Sequence, residues 1–225
     1  MKIAVVYTST TPELIDMVET EIHRAVGENV ELYSDSDPTI LSETREAGTV
    51  TREAASRLFN MYEKAVSAGA DVILNACSSV GDVANSAQAM TQFDGVPIVR
   101  IDEEMCREAV RIGTRIAVVA TLPTTLNPTK NTILRAAKEQ NRSVKLVDVL
   151  LDGAFGLSQD AFRQRIREAC EKVADQVDVI LFAQGSMAYC EEWVAQCTGK
   201  PTLSSPRFGA AALRGVLTAK GLMTP

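Results

Sequence analysis

The sequence predicts an α/β fold: two pseudo-symmetric parallel-sheet α/β domains with a cleft between them. Three observations predict it. Short apolar runs without alternation recur at IAVVY (Ile3–Tyr7), VILN (Val72–Asn75), IAVVA (Ile116–Ala120) and VILF (Val179–Phe182), and such runs suit strands buried on both faces. Stretches of helical period lie between them, which gives βαβ units and parallel pairing. The second half also repeats the first. KIAVVYT at Lys2 matches RIAVVAT at Arg115, 113 positions on; DVIL at Asp71 matches DVIL at Asp178, 107 on; GVPIVRID at Gly95 matches GKPTLSSP at Gly199, 104 on. Three pairs in one order at similar offsets mark a duplication of about 100 residues, with too few copies for a solenoid. The expected boundaries are 1–100 for the first half, with a C-terminal helix over 207–225 packing back on it, and 101–206 for the second.

The elements follow in order. Ile3 to Tyr7 is the first strand. Thr8-Ser9-Thr10-Thr11 leads to Pro12, which suits a first helical turn. Leu14, Ile15, Val18, Ile22 and Val26 stripe that helix. Asn29 to Tyr33 is the next strand. Residues 34–48 are polar and long for a connection, which predicts a flap near the site. Arg52 to Ala68 is a helix, followed by the strand that ends before Cys77, a helix from about Val80, and a short strand at Pro97 to Arg100. Glu103 to Ile112 is a helix leading into the second copy. There the strand Arg115 to Ala120 precedes the loop Thr121 to Thr125, a helix from about Pro128 to Gln140, and a strand at Ser143 to Asp148. Leu150 to Leu157, with two glycines, is a second predicted flap. A long helix striped by Phe162, Ile166, Ala169, Cys170 and Val173 comes next, then the strand before Gln184 and its helix, a strand at Thr202 to Ser204, and a last helix near Phe208 to Leu217.

Composition narrows the function. At 225 residues the chain can bury roughly 70–75% of its unfolded surface, so it needs no staples. A net charge of −6 argues against nucleic acid or an anionic membrane as partner. Five cysteines, an odd number with no CxxC, indicate reduced, cytoplasmic usage. With one histidine, His23, and no Cys/His cluster, no metal site is expected. The apolar run at the N-terminus is too short for a signal peptide, and no stretch approaches the roughly 18 apolar residues of a span.

The chemistry concentrates in DVILNACSSVGD, Asp71 to Asp82. Its polar cluster, Asn75 through Ser79, falls just past the carboxyl end of a strand, the edge where open α/β sheets bind ligands. Cys77 is a thiol at that edge, followed by the hydroxyls of Ser78 and Ser79 and by a helix start whose N–H groups suit an anion. In the repeat, DVILFAQGSMAY places Gln184 opposite Cys77, with Gly185 and Ser186 after it. The hydroxyl-rich loops Thr8-Ser9 and Thr121 to Thr125 occupy matching places after the first strand of each copy. Each serves as a cap or as an anion contact. Cys106, Cys170, Cys190 and Cys197 fall on apolar helical stripes and read as packing.

The DVILNACSSVGD and DVILFAQGSMAY blocks, GVPIVRIDEEM, RIAVVATLPTT and the LSSP near the C-terminus resemble the aspartate/glutamate (hydantoin) racemase superfamily over nearly the whole chain. The resemblance implies two pseudo-symmetric α/β domains, no cofactor, and a small carboxylate or dicarboxylate substrate. It implies a cysteine from each half on opposite faces of that substrate, one removing the α-proton and the other returning it. The first matches Cys77. The second matches Gln184, and an amide does neither job near neutral pH. The expected reading is therefore an isomerase-like enzyme working through a Cys77 thiolate, with Gln184 orienting the substrate. The expected contacts are Thr8, Ser9, Asn75, Ser78, Ser79, Thr121, Thr124, Gly185 and Ser186. The alternatives are a single-thiol decarboxylase similar to arylmalonate decarboxylase, or a carboxylate-binding protein without turnover. A flavodoxin-like flavin binder fits less well: the loop after the first strand lacks glycine, and one Trp leaves few rings to hold a flavin. A homo-oligomer is compatible with the sequence.

Overall fold

The computed structural model describes residues 1–224, with residues 91–94 as backbone only. The end of the predicted C-terminal segment, residue 225, lies outside the described residues. The chain divides into two compact units, Met1–Ile101 with Pro206–Pro225, and Asp102–Ser205.

The first unit contains β1 (Lys2–Tyr7), α1 (Pro12–Val26), β2 (Glu31–Ser36), α2 (Pro38–Ala47), α3 (Arg52–Ser67), β3 (Val72–Asn75), α4 (Gly81–Asp94) and β4 (Ile98–Arg100). The second contains α5 (Glu103–Ile112), β5 (Arg115–Ala120), α6 (Pro123–Glu139), β6 (Lys145–Leu150), α7 (Gln159–Val173), β7 (Val179–Phe182), α8 (Glu191–Thr198) and β8 (Thr202–Leu203). The last helix, α9 (Ser205–Ala219), belongs to the first unit from Pro206 on. Each unit holds a four-stranded sheet with all strands parallel, in the orders β2-β1-β3-β4 and β6-β5-β7-β8. The α/β class follows, and the two sheets share one topology.

The repeat is visible bond by bond. Ala76 N–H donates to the Val6 carbonyl at 3.0 Å, and Ala183 N–H to that of Val119 at 2.9 Å. Ile73 donates to Pro97 and Ile180 to Pro201, both at 2.9 Å. The acid that opens each DVIL run reaches the start of the first strand: Asp71 accepts from Lys2 N–H, and Asp178 from Arg115 N–H, each at 2.8 Å.

Alternation of side chains splits each central strand between two layers. In β1, Ile3, Val5 and Tyr7 pack with Leu14, Val18 and Ile22 of α1 and with Ala210, Leu213 and Leu217 of α9. Ala4 and Val6 face Ile40, Leu58, Tyr62 and Ala87 from α2, α3 and α4. In the second unit Ala117 and Val119 pack with Phe162, Ile166 and Cys170 of α7. Fully burying one such Val, Ile or Leu contributes about 1.5–3 kcal/mol. Helix α9 approaches β4 closely: a Cβ at Gly209 would lie 2.8 Å from a side-chain carbon of Ile101.

Two expectations change. The predicted flap over 34–48 is instead the end of β2 and the helix α2. Asp37 caps it by accepting from Thr39 N–H, Pro38 opens it, Ile40 anchors it in the core, and Gly48 ends it in the left-handed region. Polar composition concealed a short capped helix whose single apolar anchor is fully buried. The predicted start of the helix near Pro128 is also too late. Helix α6 begins at Pro123 and carries Pro128 inside. Pro128 sits in the second turn, where its missing N–H removes one helical hydrogen bond, the one to the carbonyl of Thr124. Of the second predicted flap, Leu150 ends β6 and residues 151–157 are a connection without helix or strand, with Gly153 and Gly156 at φ 69° and 84°.

Candidate functional site

Cys77 lies two residues past the end of β3, in extended backbone at φ −144° and ψ 119°, before a 3-10 turn over Ser78–Val80. Gln184 lies two residues past the end of β7, at φ −121° and ψ 130°, before a 3-10 turn over Gly185–Cys190. The two side chains occupy equivalent positions on equivalent backbones, each within its own unit.

Around Cys77 the site is buried and hydrogen-bonded. The thiol is 9% exposed. Burial pushes its pKa up. The Thr8 hydroxyl, the Ser79 and Val80 N–H groups and the Ser79 hydroxyl act the other way, favouring the thiolate. Thr8 is fully buried beside the sulfur, and its Oγ1 makes no geometrically complete hydrogen bond. Asn75 holds the loop from below. Its Nδ2 donates to the Cys77 carbonyl at 2.9 Å, and its Oδ1 accepts from the Tyr62 hydroxyl at 2.9 Å. Burial, and then the negative charge that Cys77 can carry, raise the Tyr62 pKa, while the Arg100 cation opposes them. Ser78 and Ser79 are buried, at 6% and 4% exposure; Ser9 is half-buried.

Three residues here escaped the sequence reading. Tyr62 reads as part of a helical stripe. Arg100 is fully buried at the end of β4, in register with Asn75. Gly81 makes room for it: a Cβ there would stand 2.5 Å from Nη2 and 3.0 Å from Cζ of Arg100. The available signal was a charge closing an apolar strand, PIVR, together with a glycine opening a helix.

In the second unit the Gln184 carboxamide is turned onto Thr121. Its Oε1 accepts from Thr121 N–H at 2.7 Å and lies 3.0 Å from the Thr121 hydroxyl; its Nε2 lies 2.8 Å from that hydroxyl. A backbone N–H can only donate, so the amide oxygen must face it, which fixes the orientation of the amide. Thr124, in the first turn of α6, is 9% exposed, and its Oγ1 is buried with no partner. Gly185 is half-buried and Ser186 exposed. Thr121, expected as an open anion contact, is therefore engaged by Gln184.

The remaining cysteines are packed. Cys106 and Cys170 are fully buried, and burial pushes the Cys170 thiol up to about 12. Cys190 is also buried, with its pKa raised by burial; Cys197 is half-buried. Among the described residues no group of three or more His, Cys, Asp or Glu could hold a metal ion. No described helix is long and apolar enough to cross a membrane.

The fold and the paired strand ends define a chain of two like α/β units, each with a polar loop at the carboxyl edge of its sheet. The chain belongs to the Asp/Glu/hydantoin racemase family, whose model matches residues 3–213. Solved structures share the fold. The allantoin racemase from Klebsiella pneumoniae is 19% identical with a TM-score of 0.68, over 100% of this chain and 90% of that one. A glutamate racemase isoform from Bacillus anthracis is 18% identical with a TM-score of 0.74, over 98% and 82%. The maleate isomerase from Pseudomonas putida S16 is 17% identical with a TM-score of 0.58, over 98% and 92%. No curated protein matches at the sequence level.

Proposed function

We propose that this chain is a cofactor-independent, isomerase-like enzyme acting at the carbon next to a carboxylate of a small substrate. Cys77 is the acid/base and Gln184 the polar partner that orients the substrate. The observation that carries the reading is the place of Cys77: one thiol two residues past the carboxyl end of a parallel strand, where burial raises its pKa and the Thr8 and Ser79 hydroxyls and the Ser79 and Val80 N–H groups act against that rise. As thiolate, Cys77 takes the α-proton and leaves an enolate-like carboxylate; as thiol, it gives the proton back. Thr8, Ser9, Asn75, Ser78, Ser79, Thr121, Thr124, Gly185 and Ser186 are the proposed neighbours of the substrate, with buried hydroxyls and N–H groups meeting its carboxylate.

A second reading is favoured by a specific pair of observations. Burial raises the Cys77 pKa, so the resting group is a thiol, and Gln184 has no titratable proton. A lone proton donor suits a decarboxylation. There the carbon–carbon bond electrons pass into an enediolate as carbon dioxide leaves, and Cys77 protonates the carbon from one face.

The test is solvent deuterium exchange at the α-carbon of small amino acids and carboxylates, followed with both enantiomers. Cys77→Ala abolishes exchange while carboxylate binding survives. Gln184→Cys restores a thiol in each half and creates or raises racemisation. Equal, rapid exchange of both enantiomers by the unaltered protein would overturn the one-base reading.

A further inference from the structure

We infer that Gln184 is an internal stand-in for the substrate's carboxylate: it occupies the Thr121 anion contacts in the resting protein and is exchanged for the substrate on binding. The inference rests on the reading of this edge as a carboxylate site.

Three features of the second unit point to it. The amide oxygen of Gln184 takes the Thr121 N–H at 2.7 Å, the bond a carboxylate oxygen would take, and stands 3.0 Å from the Thr121 hydroxyl, which also lies 2.8 Å from the amide nitrogen. These donors stand at the start of α6, a helix of 17 residues, where partial positive charge favours an anion over a neutral amide. In the first turn of the same helix Thr124 has a hydroxyl that is buried and bound to nothing, although buried hydroxyls ordinarily find a partner. The amide satisfies Thr121 and leaves Thr124 unsatisfied. A carboxylate has two oxygens with about four acceptor sites, enough for both residues, and its hydrogen bonds are roughly twice as strong as an amide's.

The exchange is chemically consistent. The incoming carboxylate takes Thr121 N–H, the Thr121 hydroxyl and the Thr124 hydroxyl. Gln184, half-buried and released, turns its NH2 donors toward the substrate. No bond to carbon is made or broken. The amide also keeps the Thr121 donors paired while the site is empty, which avoids the cost of burying them unsatisfied.

The probe is malonate, titrated by calorimetry into the unaltered protein and two variants. Gln184→Ala removes the competing ligand and should bind malonate roughly tenfold more tightly. Gln184→Glu keeps the reach but supplies an internal anion, and should bind it at least tenfold more weakly. In the unaltered protein the Gln184 side-chain NH2 resonances should shift on addition of malonate. Thermal melts confirm that each variant is folded. If Gln184→Ala binds malonate as the unaltered protein does, or more weakly, Gln184 does not compete with the carboxylate for Thr121 and the inference is overturned, while the Cys77 mechanism still stands on its exchange experiment. If no form binds malonate, the carboxylate reading of this edge fails, and the inference fails with it.

Discussion

The Tyr62 hydroxyl donates to Asn75 Oδ1 at 2.9 Å, and this bond links α3 to the loop that carries Cys77. Asn75 is 1% exposed, and its Nδ2 holds the Cys77 carbonyl at 2.9 Å. The thiol's position therefore depends on a buried polar pair that does not include the thiol.

Tyr62→Phe deletes one oxygen and leaves Asn75 Oδ1 short of a donor in a buried site. It should cost about 1–3 kcal/mol of stability, measured by urea denaturation. Alkylation of Cys77 should also change in rate, because the loop loses its lower support. An unchanged midpoint and an unchanged rate would show that the pair holds nothing in place.

The pH dependence of Cys77 has a definite sign. Burial, the largest influence, lifts the thiol above its ordinary value, so its alkylation rate should still be climbing past about pH 8.5, where a free thiol is half ionised. Thr8→Val removes a hydroxyl that favours the thiolate and should slow alkylation at pH 8 further. Because the folded pKa is the raised one, Cys77 contributes stability below the unfolded thiol's pKa and loses it as the pH rises through the folded value. Cys77→Ala should accordingly flatten the alkaline limb of a stability profile.

Gly81 has ordinary helical backbone, φ −58° and ψ −37°. Alanine there would by propensity alone favour the helix by about 0.5–1 kcal/mol. Its Cβ would, however, stand 2.5 Å from Nη2 of the fully buried Arg100. Gly81→Ala should lower stability by about 1–3 kcal/mol, the range for overpacking a core. A raised melting temperature would show that the guanidinium moves aside freely.

Asp178 accepts from Arg115 N–H at 2.8 Å, from Thr114 N–H at 3.0 Å and from the Arg115 guanidinium at 2.6 Å. These bonds, led by the guanidinium, hold its pKa well below the usual carboxylate range. A depressed folded pKa means stability that is present above the unfolded value of about 3.9 and lost as the pH falls through the folded one. Asp178→Asn should flatten the acid limb of stability between about pH 5 and 2, read from urea midpoints. Its partner Arg115 is exposed and the pair is screened by solvent, so the effect at neutral pH should be small.

By itself the sequence determined the strands, their order along the chain and the repeat that relates the two halves. Four apolar runs without alternation suit only strands buried on both faces. The duplicated DVIL blocks set Cys77 and Gln184 at equivalent strand ends, because each follows its run by the same number of residues. These are local properties, carried by periodicity and spacing. Helix α2 was illegible because one buried isoleucine and an Asp-Pro cap leave almost no periodic signal over ten residues. Only the tertiary structure decided what the site residues touch. Gln184 turns onto Thr121, 63 positions away, because β5 and β7 lie side by side and bring their ends together. Arg100 is buried over Gly81 because β4 pairs with β3 and α4 crosses its end. Such contacts arise from sheet register and close approach between distant segments, and no window of sequence contains both partners.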